Sequence, residues 1–272
     1  MQKVVLVTGA TKGIGLAIAT QLQHKGWRVF GTGRALVPSA DYPFTPVALD
    51  VTSDESVAVC VQTVLNAAGR IDAVVNNAGY DLYGAAEETH LAELKAQVET
   101  NFYGAVRVTQ AVLPIMRAQG SGRIINISSI GGLIALPFNS AYAASKFALE
   151  AYTEALRFEV LPHNIYASLI EPDAVATDTL DTSIREVANR GSTYQVTRGH
   201  MVNQMRKRGQ DSSITPLQVA EAVVHALRVR RPRLRYPVGG GALYLPLLRT
   251  LLPQSWYETF MMRQFVTARA RS

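Results

Sequence analysis

Val4 to Leu22 reads VVLVTGATKGIGLAIATQL, and this stretch decides the fold. Val4 to Val7 is apolar at every position, as a strand buried on both faces must be. Thr8-Gly9-Ala10-Thr11-Lys12-Gly13-Ile14-Gly15 follows as a turn with the spacing G-x-x-x-G-x-G. From Ile14 the apolar residues recur at helical spacing through Ala17, Ile18 and Leu22, and the run stops at Gly26. A strand that feeds a glycine-rich turn and then a helix is the first unit of a parallel α/β sheet. Glycines in such a turn let the backbone approach a pyrophosphate, and the helix N-terminus adds free N–H donors and positive potential. Many tight turns are rich in glycine. The place of this one, directly after the first strand of an alternating pattern, is what gives it weight.

The alternation continues outward from that unit. Arg28 to Thr32 reads as a second strand, residues 35–46 with three prolines as a loop, and Val47 to Leu49 as a third strand ending at Asp50. Ser53 is placed to cap a helix that carries Asp54 and Glu55 in its first turn. Ile71 to Val75 forms a fourth strand before Asn76-Asn77-Ala78-Gly79, and a long helix runs from about His90 to Ala118. Arg123 to Ile127, the helix Ser140 to Leu161 and Ile165 to Ile170 complete the series. The expected fold is α/β: a Rossmann-type, doubly wound parallel sheet with helices on both faces, in a single domain. Residues 1–240 would hold the cofactor and the chemistry. Within them 173–215 is polar and weakly periodic, suited to a mobile loop or lid over substrate. Pro216 to Val229 reads as a helix and Leu234 to Val238 as a last strand. Residues 241–272 read as an extended helical C-terminus with an apolar stripe: Leu243, Leu247, Leu248, Leu251, Leu252, Trp256, Phe260, Met261 and Phe265. Core packing is the plain reading of that stripe; a lid or a surface for peripheral membrane contact is the sharper one.

A second stretch carries chemistry. Ile124 to Phe147 reads IINISSIGGLIALPFNSAYAASKF. It passes from a β-branched run through Ser128-Ser129 and Gly131-Gly132 into a helix. There Tyr142 and Lys146 stand at i and i+4, on one face. A hydroxyl, a phenol and an amine converging at a strand end suit proton transfer. At the end of the second strand the chain reads Gly31-Thr32-Gly33-Arg34, with no acid to accept a ribose 2′-hydroxyl. Lys12 and Arg34 could instead flank a 2′-phosphate, which favours NADP(H) over NAD(H).

These motifs together resemble the short-chain dehydrogenase/reductase family. T-G-x-x-x-G-x-G, N-N-A-G, an Asn in the long helix, a Ser and Y-x-x-x-K occur in the family's order from residue 3 to about 177. The stretch from Leu136-Pro137-Phe138-Asn139 through Tyr142 to Lys146-Phe147-Ala148-Leu149-Glu150 is similar to the hydroxysteroid and retinol dehydrogenase branch. The resemblance implies roles. Tyr142 would be the general acid/base. Lys146 would lower the tyrosine's pKa and hold the nicotinamide ribose. Ser129 would hydrogen-bond the substrate oxygen. Asn101 would kink its helix and hold a relay water. Asp50 and Val51 would contact the adenine, Asn77, Ala78 and Gly79 would support the cofactor channel, and Pro172, Val175 and Thr177 would lie at the nicotinamide end. With Gly9, Thr11, Lys12, Gly13, Ile14, Gly15 and Arg34, these make up the expected cofactor site. Asp173 stands where the family usually has Gly, which would bring a side chain near the nicotinamide. The resemblance also implies a homodimer or homotetramer. No metal is expected.

The implied activity is interconversion of a ketone and a secondary alcohol. Leu133, Ile134, Leu136 and Phe138 point to a fairly lipophilic substrate. Reduction of a β-ketoacyl thioester is an alternative, and so is a non-catalytic NADP-binding regulator. Net charge is +6, unevenly placed: residues 198–272 hold 13 Lys and Arg against 3 Asp and Glu. Such a basic region suits a phosphorylated cofactor, an acyl carrier, an anionic membrane surface or plain solvation. It lacks the interleaved aromatics expected of a nucleic-acid platform. One cysteine, Cys60, rules out an internal disulfide and makes a reduced, cytoplasmic setting the default. The N-terminal apolar run is too short for a secretory signal.

Overall fold

The computed structural model describes residues 1–34, 36, 42–177, 184–188 and 193–265. Nine strands are described: β1 (Val4–Val7), β2 (Arg28–Gly33), β3 (Thr45–Ala48), β4 (Ala73–Asn76), β5 (Asp81–Tyr83), β6 (Gly122–Ile127), β7 (Ile165–Pro172), β8 (Ile184–Glu186) and β9 (Arg235–Val238). Seven of them form one sheet in the order β3-β2-β1-β4-β6-β7-β9, every pair parallel. The chain winds outward from β1 to β3, then returns to β4 on the other side of β1. That reversal opens a crevice beyond the carboxyl ends of β1 and β4, where α/β sheets bind ligands. Pro46 sits inside β3, which is tolerated because β3 is an edge strand.

Both faces of the sheet are covered. On one, α1 (Gly13–His24) and a helix over Pro216–Arg228 bury Ile18, Leu22, Val219 and Val223 against Val5, Val7, Val75 and Ile125. On the other, α2 (Asp54–Ala68), α4 (Gly104–Gln119) and α5 (Ser140–Val160) bury Val61, Val112, Met116 and Leu156 against Leu6, Val74 and Ile124. Val5 and Leu6 serve opposite faces because successive strand side chains alternate. The expected long helix is present as α3 (Leu91–Val98) continuing into α4, with a π-helical turn over Glu99–Tyr103 between them. Asn101 lies in that turn. Ser53 caps α2 through a hydrogen bond from Ser56 N.

Two expectations need correction. The segment 173–215 is not a loop throughout. It includes β8, paired with β5, and a helix, α6 (Gln195–Gln210), while 178–183 and 189–192 lie outside the described residues. The helix escaped notice because its buried side is not apolar. Met201 and Val202 are buried together with Arg198, which pairs with the equally buried Glu88. The C-terminal stripe is also not simply core. After α7 (Pro216–Arg228), the chain forms α8 (Gly240–Leu251) and α9 (Gln254–Phe265). Leu245, Met261 and Phe265 are buried, whereas Leu243, Leu247, Leu251 and Trp256 stand exposed. Among the described residues, no helix is long and apolar enough to cross a membrane.

Candidate active site

The glycine turn is built by hydrogen bonds from across the crevice. Thr8 Oγ1 accepts from the backbone N–H groups of Asn77 and Ala78, at 2.9 and 3.0 Å. Asn77 Nδ2 donates to Thr8 O and Gly9 O, both at 3.0 Å. Gly9 and Gly13 take φ values of 64° and 55°, the left-handed region that glycine enters without a Cβ clash. A Cβ on Gly15 would lie 2.1 Å from Gly9 O, so the turn closes only around a bare backbone. No side chain caps the start of α1. Its first-turn N–H groups have no intrahelical partners, and their residues line the crevice.

A cavity of about 660 Å³ extends from this turn to the start of α5. Every site residue expected from the sequence lines it: Gly9, Thr11, Lys12, Gly13, Ile14, Gly15, Arg34, Asp50, Val51, Asn77, Ala78, Gly79, Asn101, Ser129, Tyr142, Lys146, Pro172, Val175 and Thr177. Asp50 accepts from the backbone N–H and hydroxyl of Thr52, at 2.9 and 2.7 Å, and those bonds hold its carboxyl below the usual range. Lys12 and Arg34 face the same volume. The uncapped N–H groups, the bare glycines and the two cations fit the phosphates of a dinucleotide.

At the other end, α5 and β6 meet. Ser129 lies within hydrogen-bonding reach of the Tyr142 phenol, and its Oγ accepts from Gly131 N at 3.1 Å. Lys146 Nζ donates to Ile127 O at 2.7 Å and stands 5.7 Å from the Tyr142 ring centre. Burial, then the negative charge of Asp81, raise the Tyr142 pKa, against a smaller opposing effect of the Ser129 hydrogen bond. In the protein alone, burial therefore outweighs any lowering by the Lys146 charge. The ammonium is moored on a carbonyl, and removal of water disfavours the phenolate more strongly. Burial lowers Lys146 itself to about 8, opposed by Asp81 and Glu150. Asn101 is engaged with protein groups: Nδ2 donates to Tyr80 O and Ser145 Oγ, and Oδ1 accepts from Tyr80 N.

Several contributing residues escaped the sequence reading. Asn76 Nδ2 donates to Asn126 Oδ1 at 2.8 Å, and Asn126 Nδ2 to Thr153 Oγ1 at 2.8 Å, a buried polar tie from β4 through β6 to α5. Asp81, Tyr83 and Asn139 line the cavity beside Tyr142. The N-N-A-G segment begins at Asn76, but the role drawn from it went to Asn77, Ala78 and Gly79, while Asp81 beyond it carried no pattern of its own. Asp173 lines the cavity too, with its charge facing Arg208 of the same lining. Oδ1 lies 3.6 Å from Arg208, and the carboxylate packs so closely on the start of α8 that a Cβ on Gly241 would collide with it. Among the described residues, no group of three or more His, Cys, Asp or Glu side chains is gathered to hold a metal.

Residues 3–188 match the family model described as short chain dehydrogenase. The chain is 34% identical over 265 residues to a 3-ketodihydrosphingosine reductase of Bacteroides thetaiotaomicron, covering 96% of this chain and 95% of that one. It is 37% identical over 252 residues to human retinol dehydrogenase 8, covering 86% and 80%. Among solved structures, a short-chain dehydrogenase from Streptomyces avermitilis superposes with a TM-score of 0.81 at 35% identity, over 97% of each chain. ElxO with NADP bound superposes with a TM-score of 0.74 at 26% identity, over 90% of this chain and 100% of that one.

Proposed function

The chain belongs to the short-chain dehydrogenase family of oxidoreductases, and we propose that within it this protein is an NADP(H)-dependent reductase of a lipophilic ketone, or the corresponding alcohol dehydrogenase. One observation carries the reading. Ser129, Tyr142 and Lys146 converge in the same cavity that the uncapped start of α1 enters from the other end.

The residues divide the work. When bound, NADP(H) supplies the hydride that passes to or from the carbonyl carbon. The glycine turn and the α1 N–H groups would hold its pyrophosphate, Lys12 and Arg34 its 2′-phosphate, and Asp50 and Val51 its adenine side. Tyr142, kept neutral by burial, donates its phenolic proton to the carbonyl oxygen during reduction. Ser129 donates its hydroxyl hydrogen to the same oxygen, fixing where the carbonyl points. Lys146 keeps a positive charge beside the phenol and limits the cost of the phenolate left after proton transfer. Ile130, Ile134, Leu136, Met205 and Leu245 form an apolar wall, which supports a lipophilic substrate. The names of the two similar proteins, a 3-ketodihydrosphingosine reductase and a retinol dehydrogenase, agree with carbonyl–alcohol chemistry, and the first with a ketone.

The test is purified protein with NADPH and a panel of alkyl, aromatic and steroid ketones, followed by NADPH absorbance. Turnover is expected with at least one, and Tyr142→Phe should abolish it while NADPH still binds. Tight NADPH binding with no turnover across the panel would favour the regulator reading, and an active Phe variant would refute the assignment of the acid.

A further inference from the structure

Asp173 stands where the family usually has glycine, and the side chain it adds touches two helices. It follows β7, and its backbone N–H donates to Val238 O at 3.0 Å, a bond that glycine would also make. The work of the carboxyl is therefore separable from that of the backbone. Oδ1 accepts from Ala174 N at 2.8 Å and lies 3.6 Å from Arg208 of α6. Oδ2 stands where a Cβ on Gly241 would fall. The carboxylate thus rests on the first turn of α8, whose N-cap, Gly239, has no side chain to offer it. Negative charge is favoured at that end of a helix.

Both helices wall the cavity near the proposed acid. Leu245 of α8 is buried with Ile130 and Ile134, which follow Ser129, and Met205 of α6 lines the same cavity. Beside it lies a second pocket of about 630 Å³, with Lys207, Asp211, Ser213 and Gln218 in its polar lining. Asp173, Ala174 and Arg208 line both spaces, so they form part of the partition between them. Arg208 also meets the end of α9: its guanidinium lies 5.6 Å from the ring centre of the buried Phe265. One carboxylate therefore joins the end of β7 to α6 and α8, and through Arg208 to α9.

We propose that Asp173 is a positioning residue of the substrate cleft: its carboxylate, set between Arg208 and the start of α8, holds the Met205 and Leu245 walls in place and keeps the cleft closed to the neighbouring polar pocket. This rests on the reductase reading and adds to it how the cleft is sealed from water. An apolar ketone binds by leaving water. Parted walls should therefore weaken its binding, while Ser129, Tyr142 and the glycine turn stay where they are.

A double-mutant cycle between Asp173 and Gly241 tests it, with NADPH and nonyl methyl ketone, or the ketone of the panel that is reduced fastest. Asp173→Ala removes the carboxylate, and Gly241→Ala puts a methyl group in its place. Each is expected to raise the KM for the ketone by about 10-fold with kcat within about three-fold, the pattern of lost binding rather than lost chemistry. Both break one contact, so the double variant should be no worse than either single one. NADPH affinity, by fluorescence titration, should stay within about two-fold, because the glycine turn is remote from Asp173. An unchanged KM in Asp173→Ala overturns the proposal, as does a loss confined to kcat, or a double variant whose defect is the product of the single ones. Asp173→Asn keeps the acceptor for Ala174 N and removes only the charge. It replaces Asp173→Ala, under the same outcomes, if thermal melting shows that the alanine variant does not fold. If no ketone is turned over, the reductase reading fails, and hydrogen exchange in α6 and α8 decides this proposal by itself. Both single variants should then speed exchange around Met205 and Leu245 by about 10-fold, with no further gain in the double variant. Exchange equal to that of the wild type refutes it.

Discussion

Lys146 Nζ donates a 2.7 Å hydrogen bond to the carbonyl oxygen of Ile127, mooring the ammonium of α5 on the last residue of β6. Ser129 follows Ile127 by two residues, and Tyr142 precedes Lys146 by one helical turn. The contact therefore aligns the two elements that carry the proposed chemistry.

The first prediction follows from the pKa of that ammonium. Burial lowers Lys146 to about 8, with Asp81 and Glu150 opposing and Tyr142 as its other neighbour. An unfolded lysine titrates near 10.4. Between those values the folded state binds fewer protons than the unfolded state, so this group's contribution to stability rises as pH climbs from about 8 towards 10. The charge needed beside Tyr142 is lost over the same window. The pH profile of kcat/KM for reduction should fall above about pH 8, while the melting temperature shows no matching loss from this group. Lys146→Met should lower kcat/KM by about 100-fold or more and remove that alkaline limb.

Gly131 lies under the phenol. A Cβ there would stand 2.9 Å from Tyr142 Cε1, too close for an aromatic ring carbon. Gly131→Ala should push the ring away from Ser129 and reduce kcat by about 10- to 100-fold, the usual cost of a misplaced group. NADPH affinity, measured by fluorescence titration, should change little because the glycine turn is remote.

In the proposed NADP(H) reading, cofactor choice turns on Lys12 and Arg34. The double substitution Lys12→Ala, Arg34→Ala should raise the KM for NADPH by about 10-fold or more, while the KM for NADH stays within about two-fold. Salt should weaken NADPH binding to the wild type more than to the double variant, since exposed charges are screened. Equal effects on both cofactors would count against the 2′-phosphate assignment.

Cys60 is buried in α2, and burial pushes its thiol up to about 12. The thiolate is the reactive form, so a disulfide exchange reagent should leave the native protein unmodified and react with one thiol per chain only after unfolding. Oxidants should not alter turnover through this residue.

The parallel sheet and the glycine turn were legible in the chain itself because their signals are local. Val4 to Val7 is apolar throughout, Gly9, Gly13 and Gly15 fall at a fixed spacing, and Tyr142 and Lys146 share a helix face by periodicity alone. Helix α6 was not legible. Its inner side includes Arg198, whose burial depends on Glu88, a partner 110 residues away. The C-terminal stripe was legible as helix but not as two faces, because only packing against Ile130 and Ile134 decides which leucines turn inward.

The same division holds within the site. Residue types and spacings named Ser129, Tyr142, Lys146 and the phosphate turn, since each belongs to a short motif bound to one strand–turn–helix unit. Folding alone brought Asp81 to Asn139, 58 residues apart, and set the protonation of Tyr142. A pKa and the partners of a half-buried carboxylate depend on how much water is excluded and which groups remain near. Both are fixed only when distant elements close around a shared cavity.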